Sequence, residues 1–158
     1  MKNASLALPD PEATARLGRW LAFRLGAGDV LLLEGPIGAG KTHLARALIQ
    51  ARLADAGLAE DVPSPTFTLV QVYEAGDLAI WHSDLYRLSH PDEVAELGLD
   101  EAFSTALCLI EWPDRLGSQS PSHAITLRLV ADGDARRAEF VNLPKALAAD
   151  LERGLPDD

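Results

Sequence analysis

Residues 35–42 read Gly35-Pro36-Ile37-Gly38-Ala39-Gly40-Lys41-Thr42 and match G-x-x-x-x-G-K-[S/T] at every fixed position, the Walker A pattern of a phosphate-binding loop. The flanks agree with it. Asp29 leads into Val30-Leu31-Leu32-Leu33-Glu34, an apolar run of strand length. His43 to Gly57 then place Leu44, Leu48, Ala51 and Leu53 on roughly one side of a helix. A tight loop between a strand and a helix points several backbone N–H groups at one spot, and the helix N-terminus adds partial positive charge there. Glycines let the backbone close around phosphates without Cβ clashes. Gly35, Ile37, Gly38, Ala39, Gly40, Lys41 and Thr42 are therefore the expected nucleotide-binding residues. Lys41 can bridge the β- and γ-phosphates, and the Thr42 hydroxyl can ligate Mg²⁺. Pro36 lacks an N–H but stands early in the loop, before the donors that matter most.

Such a loop needs a carboxylate to serve the metal, usually at the C-terminal end of a neighbouring strand. Two hydrophobic runs supply one: Leu78-Ala79-Ile80-Trp81-His82-Ser83-Asp84 ends in Asp84, and Ala106-Leu107-Cys108-Leu109-Ile110-Glu111 ends in Glu111. Each acid has another use open to it, Asp84 as a helix cap and Glu111 as a partner for Arg115. His82, taken alone, reads as a structural side chain. Trp112 either walls the site or simply packs. Thr66 lies in the Pro63-Ser64-Pro65-Thr66 loop, the interval in which switch proteins place a threonine that senses Mg²⁺ and the γ-phosphate.

Outward from these segments, Pro9-Asp10-Pro11 opens a periodic stretch with Leu17, Trp20, Leu21 and Leu25 at helical spacing, Asp10 as N-cap and Gly26 and Gly28 as its end. Residues 67–74 alternate as a strand and pair with 78–84 as a hairpin. One or two short helices fill 90–103, interrupted by Gly98. Residues 125–130 and 138–143 form a second hairpin, and 143–154 a last helix, after which the final residues fray. The order predicts a single domain over residues 1–158 with an α/β, three-layer P-loop NTPase fold, a mixed central sheet and helices on both faces.

Composition narrows the function. The 158 residues carry a net charge of −10, which disfavours unaided nucleic-acid binding, since phosphate contacts need Lys and Arg. No stretch approaches the roughly 18 apolar residues of a spanning helix, so a membrane role is not expected. Cys108 is the single cysteine, expected as a buried small hydrophobe, and that count fits a reducing cytoplasm.

In order along the chain, GPIGAGKT, SPTFTLVQVY, HSDLYRL, PDEVAELGLDEAF and LIEWPDRLG resemble the bacterial TsaE (YjeE) family, over roughly Leu8 to Phe140. The resemblance implies an ATPase of tRNA threonylcarbamoyladenosine (t6A) biosynthesis, with ATP and Mg²⁺ as cofactors and TsaB and TsaD as partners, and with tRNA met only through the complex. It further implies that Thr42 and Glu111 serve Mg²⁺, that Asp84 is a catalytic or metal-linked carboxylate, that Thr66 acts in a switch-like loop, and that Trp112 sits beside the site. Arg136 lies where the family has an arginine near the nucleotide. Two positions depart from the family pattern: Pro36 replaces an acid and Ser83 an aromatic.

Arg87 and Arg115 are the candidates for an arginine finger in cis, although each reads first as half of a surface ion pair. A finger is worth roughly 10³ to 10⁵ in rate, so turnover of the isolated chain is expected to be slow. A GTP-dependent switch would need an N-K-x-D motif, which is absent, while Asp114-Arg115-Leu116-Gly117 matches D-x-x-G by letters only. A small-molecule P-loop kinase would need an arginine-rich lid, and no cluster exists beyond Arg136-Arg137. A scaffold that binds nucleotide without cleaving it would have no use for two strand-end acids.

Overall fold

The structure, a computed structural model, describes residues 2–155; the expected fraying of the last residues falls at 156–158, outside that range. One seven-stranded mixed sheet organises the chain. Its strands are β1 (Lys2–Leu8), β2 (Val30–Glu34), β3 (Val70–Ala75), β4 (Leu78–Asp84), β5 (Leu107–Glu111), β6 (Ile125–Asp132) and β7 (Ala135–Leu143). Their spatial order is β1-β7-β6-β2-β5-β4-β3. The four central strands β6, β2, β5 and β4 run parallel, and antiparallel partners extend the sheet at both sides. This is the three-layer P-loop NTPase fold expected from the sequence.

The apolar runs of β2 and β5 show why they are central. Leu31 and Leu33 of β2, with Leu107 and Leu109 of β5, pack to one side, while Val30, Leu32, Cys108 and Ile110 pack to the other. A strand covered on both faces reads as a continuous apolar run rather than an alternating one. The first face is covered by α1 (Pro11–Ala22), α2 (Lys41–Asp55) and α5 (Lys145–Glu152) through Leu17, Leu21, Leu44, Leu48 and Leu151. The second is covered by α3 (Glu93–Glu96) and α4 (Leu99–Thr105) through Val94, Leu99 and Phe103. Helices thus lie on both faces.

Asp10 caps α1 as expected, its Oδ1 accepting from the Ala13 N–H at 2.8 Å, and Pro11 fills the first helical position. The helix stops at Ala22, earlier than the glycines suggested, with Leu25 returning its N–H to the Leu21 carbonyl. Gly18 of α1 lies so close to α2 that a Cβ there would sit 2.5 Å from the Leu44 carbonyl oxygen.

Three further features differ from the sequence reading. The edge strand β1 was not expected; it pairs antiparallel with β7, and only Leu8 of its seven residues is buried. The strand expected from residue 67 begins at Val70, because residues 66–68 form a turn and Leu69 takes a left-handed conformation (φ 67°). A 3₁₀ segment, Pro113–Gln119, follows β5 and buries Leu116.

Candidate functional site

The phosphate loop leaves β2 at the carboxyl edge of the parallel strands, where α/β folds place their ligands. Gly35 is extended at a positive φ of 146°, and a Cβ there would meet the Leu129 carbonyl at 2.7 Å, so the first position of the loop admits only glycine. Gly40 is the N-cap of α2 and brings no side chain to accept from the first turn, which leaves those N–H groups to an anion.

Asp84 and Glu111 stand side by side across the β4–β5 ladder. Both are buried, at 6% and 2% exposure. The Thr42 hydroxyl donates to Glu111 Oε1 at 2.7 Å, which ties the start of α2 to the end of β5. Asp84 accepts from the Tyr86 N–H at Oδ1 (3.0 Å) and from the Thr66 hydroxyl at Oδ2 (3.3 Å). Thr66 in turn shares a 2.7 Å hydrogen bond with Ser64. The loop is anchored by main chain as well: Leu69 donates to the Pro65 carbonyl and accepts from the Asp84 N–H at 2.9 Å.

Lys41 is folded inward. Its ammonium donates to the Gly35 carbonyl and lies 3.5 Å from the centre of the Trp112 ring. Burial pulls its pKa below the ordinary lysine value, opposed by the charges of Glu111, Asp84 and Asp114. Trp112 holds a left-handed backbone (φ 60°, ψ 53°) immediately after β5, a conformation that a bulky residue adopts at a cost. Its ring also packs on Tyr86 at 4.9 Å.

These side chains line one cleft of about 450 Å³, together with Ile37, Gly38, Ala39, Gly40 and Arg87. Two buried carboxylates and a hydroxyl form a hard-oxygen donor set, the chemistry that Mg²⁺ prefers. The arrangement can therefore hold a divalent cation beside a phosphate. Arg136 does not reach this cleft. It lines a second one, of about 280 Å³, on the other flank of Gly38–Gly40, with Asp10, Thr14 and Asp134.

The two acids make these contacts in the structure. Asp84 caps a turn and bonds Thr66 at the same time. Glu111 bonds Thr42 and His82 rather than Arg115. Neither Arg87 nor Arg115 makes an ion pair among the described residues; they lie over the rings of Phe67 and Tyr86, at 4.8 and 5.8 Å. His82, read from sequence as structural, is fully buried and 2.7 Å from Glu111 Oε2. Only its place two residues before a strand-end acid could have signalled that contact.

Comparison with known proteins agrees with this architecture. The sequence model described as "Threonylcarbamoyl adenosine biosynthesis protein TsaE" matches residues 8–139. The tRNA threonylcarbamoyladenosine biosynthesis protein TsaE of Rickettsia bellii is 36% identical over 143 residues, covering 90% of this chain and 97% of its own. The Bacillus subtilis protein of that name is 36% identical over 138 residues, covering 87% and 84%. The crystal structure of YdiB from Bacillus subtilis superposes with a TM-score of 0.77 at 30% identity, over 96% of this chain and 95% of that one. With a family model matched over most of its length and relatives covered almost end to end, this chain belongs to the TsaE family of tRNA threonylcarbamoyladenosine biosynthesis.

Proposed function

We propose that this chain is the Mg²⁺-dependent ATPase of the t6A37 threonylcarbamoylation machinery, acting in the cytoplasm with TsaB and TsaD to support turnover of the threonylcarbamoyl transferase. The observation that carries this reading is the 2.7 Å bond between Thr42 of the phosphate loop and the buried Glu111 of the neighbouring strand. It joins a phosphate cradle to a pair of buried acids whose oxygens suit a divalent cation.

In this mechanism the loop amides and Lys41 bind the β- and γ-phosphates, and Lys41 leaves the Gly35 carbonyl and the Trp112 ring to do so. Thr42, Glu111 and Asp84 would hold Mg²⁺, which neutralises charge on the phosphate oxygens. Asp84 orients the attacking water. Thr66, hydrogen-bonded to Asp84, carries the state of that carboxylate into the 63–69 loop. Trp112 excludes bulk water from one side of the cleft. Arg136, on the far flank of the loop, faces the nucleoside end of the ligand.

The chain expects help. Ile37, 79% exposed, lines the cleft, and Phe67, 82% exposed, lies under Arg87, which lines it too. A large apolar side chain in water beside a site supports a protein partner there. The acidic charge fits contact with proteins more than with tRNA.

The deciding experiment is phosphate release from ATP by wild type and Lys41→Ala, with and without TsaB and TsaD, alongside t6A formation on tRNA. Both activities should depend on Lys41 and rise with partners. ATP cleavage with t6A formation indifferent to this chain would keep the ATPase and remove the pathway role. Better competition by GTP than by ADP would reverse the nucleotide assignment.

A further inference from the structure

The mechanism above leaves a buried histidine beside the site without a task. His82 lies on β4 two positions before Asp84 and is fully buried. Its Nε2 is 2.7 Å from Glu111 Oε2, while Glu111 Oε1 accepts from Thr42, also at 2.7 Å. Both oxygens of the carboxylate are therefore engaged, one by the phosphate loop and one by the sheet. The other imidazole nitrogen, Nδ1, is buried with no partner among the described residues. A buried lone pair without a donor is tolerated better than a buried N–H without an acceptor. That asymmetry puts the proton on Nε2, where it is donated to Glu111.

We infer that His82 is a positioning residue: its Nε2–H pins Glu111 Oε2 so that Oε1 stays on the Thr42 hydroxyl, at the place where the cation is held. The inference rests on the reading of Glu111 and Thr42 as the metal-serving pair. Without the imidazole, Oε2 is a buried carboxylate oxygen with no donor, and the carboxylate turns to find one. The Thr42 contact is then lost. Lys41 and the loop amides make no contact with His82, so nucleotide binding in the absence of metal is untouched. Partners that orient metal-serving groups in this way typically change metal affinity by roughly 10- to 100-fold when removed.

The experiment uses the full chain as wild type, His82→Leu, His82→Gln, Glu111→Gln and the His82→Leu/Glu111→Gln double variant. The probe is Mn²⁺, titrated into the ADP complex and followed by electron paramagnetic resonance. ADP affinity in chelator and melting temperature are measured in parallel. His82→Leu should weaken Mn²⁺ binding by roughly 10-fold or more and leave metal-free ADP affinity unchanged. His82→Gln should recover most of the loss, because its amide N–H reaches the same oxygen, even where it melts below His82→Leu. In the Glu111→Gln background, His82→Leu should add little. If His82→Leu does not fold, the Gln variant carries the test: near-wild-type Mn²⁺ affinity supports the inference, and a loss as large as that of Glu111→Gln overturns it. Unchanged Mn²⁺ affinity in His82→Leu, or losses that multiply in the double variant, overturn it as well. A wild type that binds ADP without Mn²⁺ removes the metal reading itself, and this inference with it.

Discussion

Thr42 and Glu111 are 69 residues apart in the chain, and their side chains meet at 2.7 Å. The contact fixes the first turn of α2 against the end of β5, so the phosphate loop and the acid it works with move as one body. A hydrogen bond to an ionised group contributes about 1.5 to 3 kcal/mol to stability.

Thr42→Val keeps the shape and removes the hydroxyl. Mg²⁺-dependent phosphate release should fall about 10-fold or more, and by a larger factor than nucleotide affinity measured in chelator. The same change leaves Glu111 Oε1 buried without its donor, so urea unfolding should show a loss of about 1 to 3 kcal/mol. Equal metal dependence in wild type and variant would mean that the contact is structural only.

Lys41 rests against Trp112, 3.5 Å from the ring centre. Drawing the ammonium off the indole face changes the electrostatic surroundings of that fluorophore alone among the three tryptophans. Titration with nucleotide should therefore alter tryptophan emission in wild type and leave Trp112→Phe unresponsive, although Trp20 and Trp81 remain. A response that survives in Trp112→Phe would place the ligand elsewhere.

Gly18→Ala offers a stability test of how α2 is held. Alanine is the better helix former by about 1 kcal/mol. Its Cβ, however, would lie 2.5 Å from the Leu44 carbonyl and 3.2 Å from Ala47 Cβ, both on α2. Overpacking of this kind costs about 1 to 3 kcal/mol. The variant should unfold at lower urea and, with α2 displaced, bind nucleotide more weakly. A variant more stable than wild type would show that the two helices separate freely.

Burial pushes the Cys108 thiol up from 9.0 to about 12. The native chain should resist thiol alkylation at pH 8 and react fully in denaturant. The linkage has a definite sign. Above pH 9 the unfolded chain sheds a proton that the folded chain keeps, so stability falls between about pH 9 and pH 12 through this group. Cys108→Ala should flatten that part of the pH profile. Rapid labelling of the native protein would contradict the burial.

Much of this was legible in the sequence, for physical reasons. The loop from Gly35 to Thr42 needs its residue types in order; β2 and β5 announce themselves because buried strands carry unbroken apolar runs, here ending in Glu34 and Glu111, and β4 opens on the apolar Leu78–Trp81 before closing on Asp84. What stayed hidden depends on tertiary context. β1 is an edge strand with a single fully buried residue, too little to stand out against the background. Phe67 looks like a strand residue by alternation, yet it sits in a turn because Leu69 bends the chain back to Pro65. His82 could be joined to Glu111 only once β4 and β5 were known to be neighbours. Arg136 was assigned to the nucleotide, but nothing in one dimension could show that it would lie across the loop from Asp84.

The sheet order has a consequence for assembly. The strands that build the cleft, β2, β5 and β4, are spatial neighbours in an order that the chain does not follow, and each junction between them spans a crossover. The hairpins β3–β4 and β6–β7 close over a few residues and can form early, whereas the parallel pairs must first meet the entropy of long loops. A chain arrested with both hairpins made would have much of its hydrogen-bonded ladder and no cradle for a phosphate. Nucleotide affinity is then a stricter gauge of completed folding than secondary-structure content, and ligand would rescue damaged variants only after their last strands had docked.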